Sequence, residues 1–397
     1  MECTASQARA HRLRAHHLDR KLPPAAVEQA AGACGLQNSP PGAWETALHN
    51  RLDGCSLGAL HTALYEDKTL LQAWSWRGVP AVFPTAESGV FLTPLVAREG
   101  EEPWIYTRGV SGGLDFVHMA FDEALALVKQ AARVLDARVI VSKEALDQAL
   151  ADAVRPHLPP WQQALWDAPS LYGRPDRQTM GGAVVSFLLR PCAFSGLVVF
   201  GARQGASPTF TSYQNWLGHG LAPDGEGEKA LVRKFLHCYG PAAQGDFAAW
   251  LGCSPRQAKR LWAGVEAELT PVRLAGRRCW MLAADAAALP ADGCEGERLL
   301  LLGPHDPYLD LRDRAIVLPD EARRKEVWKT VANPGAVLRG GCVVGVWNAK
   351  TAGDKLDVSL CLWEALRPDE RHTLQTLAEE YAAFRGLALR SYGVQGE

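Results

Sequence analysis

The sequence has almost no net charge, no long apolar run and no paired-cysteine motif, and each absence removes a class of function. Lys and Arg total 42 against 44 Asp and Glu, a formal charge of −2 over 397 residues. That excludes a uniformly basic nucleic-acid coat and leaves only local patches. No stretch is apolar for long enough to span a membrane, and residues 1–20, MECTASQARAHRLRAHHLDR, are polar and basic without a signal core. Neither a membrane nor a secretory route is expected, and the cytoplasm is the expected location. The ten cysteines occur singly, with no CxxC pair. This suits small buried apolar residues in a reducing compartment rather than a disulfide frame or zinc site. His16 and His17 are adjacent and diverge on a helix. Neither HExxH, nor the HxE and PCxxC signature of zinc deaminases, nor a phosphate loop ending in GK[ST] occurs. No metal and no cofactor are expected.

The composition is globular, 47% hydrophobic and 22% charged with 37 Gly and 25 Pro, in a chain long enough for roughly two to four packed units. The clearest lies at 228–282. Leu231, Phe235, Leu236 and Tyr239 recur at helical spacing until Gly240-Pro241. A short second helix turns Phe247, Trp250 and Leu251 inward and ends at Gly252. Ser254 then caps a third helix, with Pro255 in its first turn and Ala258, Leu261, Trp262 and Val265 buried. Arg256, Gln257, Lys259 and Arg260 form its other face, and the alternating TPVRLAGRRCWML reads as a hairpin. Three helices, a hairpin and a basic third helix follow the winged helix-turn-helix order. Arg256, Lys259 and Arg260 suit either a DNA contact or a solvated face, because fold does not fix function.

The same order recurs more loosely. Helices near 7–18 and 25–33, and others starting at Pro40 and Leu57, precede LLQAWSWRGVPAVFP, two strands turning at Arg77-Gly78. Helices at 121–135 and 142–154, then the stretch GGAVVSFLLRPCAF, precede the strand-like GLVVFG and SPTFTSY, with linkers at 99–113 and 219–229. From Leu299 the runs RLLLLG, AIVL, CVVGVWN and KLDVSLCLW, followed by a helix near 369–384, suit a small barrel. The predicted architecture is α+β: three tandem winged helices, 1–112, 113–222 and 223–290, then a C-terminal β-barrel with a terminal helix, 291–397.

Taken in order, QARAHRLRAHHLDR, GLQNSPPGAWETALHNR, WSWRGVPAVFP, HDPYLDLRDRAIVLP and VVGVW resemble the AlkZ-like bacterial DNA glycosylases over essentially the whole chain. The resemblance implies tandem winged helices and a barrel around a DNA channel. It implies repair by excision of alkylated bases, in some members bulky or cross-linked adducts left by antibiotics, a form of self-resistance. The family motif is a Gln, one intervening residue, then a second Gln or an Asp. Its first Gln falls on Gln37, whereas position 39 is Ser39 and the intervening residue is the polar Asn38. The implied catalytic set is Gln37, with Ser39 or Asn38 assisting, in a monomer acting on double-stranded DNA that carries alkylated bases.

Amides suit such chemistry. An N7- or N3-alkylated purine is already cationic and leaves without a general acid, so what remains is to hold a water on the far face of an oxocarbenium-like sugar. Gln37 can accept a hydrogen bond from that water while its NH2 contacts a phosphate or sugar oxygen, and Ser39 adds a weaker anchor. The plainer reading makes Ser39-Pro40 a helix cap, its free N–H groups attractive to phosphate, and Gln37 a loop residue. Arg77 is a phosphate contact by family position, or stacks beside Trp74 and Trp76. Arg312 and Arg314 in DLRDR reach phosphates or form a local salt-bridge cluster. Lys350 and Lys355 flank a Gly353-Asp354 turn in a hairpin that presses on DNA, or are ordinary exposed lysines. His305 and Asp306 contact the lesion or form a turn. Two rivals remain: a non-catalytic winged-helix DNA binder, a regulator or damage sensor, and a nuclease using Glu326 and Lys329, which lack the usual one-residue gap.

Overall fold

In the computed structural model, which describes residues 1–101, 109–173, 176–289 and 298–395, helices lead three times into a small sheet built on an antiparallel hairpin. The helix Ala5–Ala15 starts with a reciprocal cap, Gln7 N donating to Thr4 Oγ1 at 3.1 Å and Thr4 N to Gln7 Oε1 at 3.0 Å. Helices Val27–Gly32, Ala43–Arg51 and Leu57–His61 follow. Strands Leu70–Trp74 and Pro80–Pro84 pair around Arg77-Gly78, and Leu36–Gln37 joins the Pro80–Pro84 edge with Gln37 opposite Ala81. Gln37 is therefore held on a strand.

Helices Phe121–Ala132, Lys143–Val154 and Met180–Phe194 precede the hairpin Val199–Gln204 and Ser207–Thr211, which Ile140–Val141 extends. Helices Gly227–Tyr239, Gln244–Leu251 and Pro255–Ala263 precede the hairpin Leu269–Leu274 and Arg277–Leu282. Ser254 caps the last of these helices, accepting from Gln257 N at 3.1 Å. Ala275 and Gly276 both have positive φ, 50° and 75°, the two-residue turn whose twist matches paired strands. Glu2–Cys3 lies parallel to Leu269–Leu274 in this sheet, so the start of the chain packs with the third helical group.

The C-terminal sheet differs from the expected closed barrel. Its five strands run in the order Leu299–Leu302, Gly335–Arg339, Cys342–Ala352, Lys355–Leu362 and Ala388–Gln395, with first and last unpaired to each other. The helix Pro368–Phe384 covers one face through Leu374, Ala378 and Ala382. Its crossover returns the last strand parallel to Lys355–Leu362, which extends an open edge instead of closing a ring. AIVL is not a strand either: Arg314–Ile316 is a short 3-10 turn.

One aromatic core joins all three helical groups: Trp76, Phe83, Phe91, Phe194, Phe235 and Trp250 are buried together. Phe235 is fully buried, with its ring 5.3 Å from that of Trp250 and 5.2 Å from that of Phe247. Phe235→Ala is expected to cost about 3–5 kcal/mol in urea unfolding; a loss below about 1 kcal/mol would mean that the groups do not share this core. No helix among the described residues is long and apolar enough to cross a membrane.

Candidate functional site

Leu36 points into the core, and strand alternation turns Gln37 to the opposite side. There it lines a cavity of about 320 Å³ together with Arg77, Trp250, His305, Asp310, Arg312, Arg314, Trp328, Lys329 and Asn333. The amide is fixed at both ends. Its Nε2 donates to Ser39 O at 2.9 Å, and its Oε1 accepts from Arg77 Nη2 at 3.4 Å.

Arg77 sits in the turn between the two strands at φ 52°. It donates to Trp250 O at 3.3 Å and to Asp310 Oδ2 at 2.8 Å. Gly252 makes this approach possible: at φ +78°, a Cβ there would lie 3.0 Å from Arg77 Cα. Arg77 does not stack on Trp74, whose ring lies under Arg190 at 5.4 Å. Burial raises the Asp310 carboxyl above its ordinary value, opposed by the facing Arg77 guanidinium. Burial also lowers the His305 pKa, which favours the neutral imidazole. Its Nε2 lies 3.4 Å from Asn333 Nδ2.

DLRDR is not a local salt-bridge cluster. Asp310 pairs with Arg77, and Asp313 with the buried Arg12 at 2.6 Å. Arg312 is exposed, and Arg314 lies 4.6 Å from the centre of the Trp328 ring. Neither has an ion-pair partner among the described residues. If they meet phosphates, Arg312→Ala with Arg314→Ala weakens duplex binding and lowers the slope of log affinity against log salt by about one per residue. An unchanged slope, read by fluorescence anisotropy, would rule them out as phosphate contacts.

Several expected residues lie elsewhere. Asn38 Oδ1 accepts from Gly42 N at 2.7 Å, and the following helix begins with Gly42, at φ 91°, as its N-cap. Ser39 is therefore not the cap, and it meets Gln37 through its backbone carbonyl. Asn38 lines a separate pocket with Trp44, His61, Arg203 and Arg385. Asp306 is buried away from the cavity, gripping Arg51 at 2.8 and 2.9 Å. Arg256 donates to Gly100 O at 2.8 Å, and Arg260 is neutralised by Glu101 and Glu228, each at 2.6 Å. Lys259 is exposed, as are Lys350 and Lys355 beside their turn. Glu326 pairs with Arg323 at 2.9 Å, apart from Lys329 in the cavity wall.

Asp310, Asp246, Trp328 and Asn333 line the cavity without being singled out by the sequence pattern, which marks Trp250 only as a core residue. Asp310 carries one signal, a carboxylate inside the HDPYLDLRDR string; the others look like core or loop residues. Away from the cavity, folding gathers His16, Cys34 and Cys238, all buried, with ligand atoms within 4.8 Å of one another. Burial opposes a Cys34 thiolate, yet hydrogen bonds from Cys238, His16 and Tyr239 hold that thiol well below its ordinary value. His11, His237 and Asp285 form a second group of the same kind.

The sequence pattern of the family described as "DNA glycosylase AlkZ-like" matches residues 30–384. A search of curated proteins finds no match. Among solved structures the fold is similar to Streptomyces sahachiroi DNA glycosylase AlkZ, with TM-score 0.75 and 20% identity over 98% of this chain and 100% of that one. With the match covering most of its length, the chain belongs to the AlkZ-like DNA glycosylase family.

Proposed function

We propose that this protein hydrolyses the N-glycosidic bond of alkylated purines, N7-alkylguanine or N3-alkyladenine and bulky adducts at those atoms, in double-stranded DNA, with Gln37 positioning the attacking water. The position of the Gln37 amide carries this reading: it is held on a strand, oriented by Ser39 O and Arg77, at the wall of a cavity large enough for a base. The leaving base brings its own positive charge, so the site needs an oriented acceptor for water and no acid. Arg77 is balanced by Asp310 and burial disfavours a protonated His305, so neither adds net positive charge against a cationic purine, and the remaining cations of the lining are Arg312, Arg314 and Lys329. In this reading Arg312, Arg314 and Lys329, which line the cavity, meet the phosphates, and Lys350 and Lys355 on their hairpin meet the duplex.

The three helical groups with their hairpins fit tandem winged helices, divided near 112, 222 and 290 apart from Glu2–Cys3. The working unit in this reading is a monomer. Asn38 and Ser39 assist only by fixing the turn after Gln37 and its amide, through a side chain and a carbonyl respectively.

The test is mass-spectrometric detection of free base from duplex N7-methylguanine DNA, with a strand-integrity gel alongside. Base release without nicking is expected. The second reading, a DNA-binding protein without catalysis, is favoured by one observation: neither the Asn38 nor the Ser39 side chain lines the Gln37 cavity. Tight lesion binding with no base released would select it, and nicking that needs Mg²⁺ would instead point to a nuclease.

A further inference from the structure

Gln37 and Asp310 share one nitrogen. Arg77 Nη2 donates to Asp310 Oδ2 at 2.8 Å and to Gln37 Oε1 at 3.4 Å, and all three residues line the same cavity. A buried carboxylate is costly to hold and is retained where pairing or chemistry needs it. The pairing with Arg77 uses Oδ2, and Asp310 Oδ1 accepts no hydrogen bond among the described residues.

The cavity's other carboxylate, Asp246, has both oxygens occupied. Arg277 binds them at 3.0 and 2.7 Å, and Ala243 N donates to Oδ2 at 2.8 Å. Gln37 is not basic. His305 faces Asp310 from the same cavity and is the rival proton acceptor. Arg77 holds the carboxylate from one side, Cys34 acts on it electrostatically, and Arg312, Arg314 and Lys329 line the same cavity.

Resting on the glycosylase reading, we propose that Asp310 is the general base of this site, taking the proton of the water that Gln37 holds. The water oxygen bonds to C1′ of the deoxyribose as the C1′–N bond breaks. The electron pair of that bond goes to the cationic purine, which leaves neutral. The water proton passes to Asp310 Oδ1, which becomes a carboxylic acid, and Arg77 keeps its charge throughout. The sugar keeps a C1′ hydroxyl, and the proton is lost to solvent on product release.

The test is single-turnover release of N7-methylguanine from a duplex by the full chain between pH 5 and 8, with spontaneous loss subtracted. Wild type, Asp310→Asn, Asp310→Glu and His305→Gln are compared, with thermal melts to check folding. The wild-type rate is expected to fall towards acid pH as the carboxylate protonates. Asp310→Asn is expected to lose about 10²–10⁴-fold in rate and to lose that acid limb, with duplex binding within about threefold of wild type. Asp310→Glu and His305→Gln keep the limb. Asp310→Asn at the wild-type rate, or slower with the acid limb intact, overturns the proposal. If only His305→Gln removes the limb, the base is His305. Should Asp310→Asn not fold, an Asp310→Glu profile identical in midpoint to wild type overturns it, since a changed carboxylate must move the limb. No release by wild type at any pH removes the glycosylase reading itself, and this inference with it.

Discussion

Gln37→Ala is expected to lower the single-turnover rate of base release by about 10²–10³-fold, the scale set by removing one positioned hydrogen-bonding group from a preorganised site. The physical reason is orientation. The amide has a donor tied to Ser39 O and an acceptor beside Arg77, so alanine deletes the group that holds water and leaves nothing to replace it. Residual release should persist, because a cationic purine departs slowly unaided. Duplex binding should change little, since Gln37 is only 6% exposed and the rim charges are untouched. Ser39→Ala provides the contrast: its carbonyl, not its hydroxyl, meets Gln37, so less than about a threefold change is expected. A Gln37→Ala rate within threefold of wild type would remove Gln37 from the chemistry.

Asp306→Ala is expected to be the most destabilising single change near the site, by about 3–5 kcal/mol in urea unfolding, because it leaves a buried guanidinium without its partner. The pair is almost fully enclosed, with side-chain exposures of 1% for Arg51 and 0% for Asp306. Asp306 also caps the short helical turn Pro307–Leu309 by accepting from Tyr308 N at 3.0 Å. Arg51 ends the helix Ala43–Arg51, so this pair clamps the segment bearing His305 and Asp310 onto the segment bearing Gln37. Base release should fall with stability for that reason. Arg51→Met combined with Asp306→Ala should recover part of the loss, since it removes the stranded charge. A cost below about 1 kcal/mol for Asp306→Ala would show that the clamp is unimportant.

Much of this protein is written locally. The Ser254 cap, the Ala275-Gly276 and Arg77-Gly78 turns and the helical spacing of Leu231, Phe235 and Leu236 each depend on residues within about four positions of one another. The sequence therefore determines the helices and most of the hairpins, and its motif order points to Gln37. Local signals also mislead where two readings share them: Ser39-Pro40 has the composition of a cap, yet Gly42 occupies that position. Only the tertiary structure decides which polar groups meet. It brings Asp310 to Arg77 across 233 positions and sends Asp306 to Arg51 across 255. It also neutralises Arg260 with Glu101 and Glu228, lays Glu2–Cys3 beside Leu269–Leu274, and leaves the last sheet open through a parallel return. None of these has a sequence period, because a buried charge is fixed by whichever partner the packed core delivers to it, at any separation along the chain.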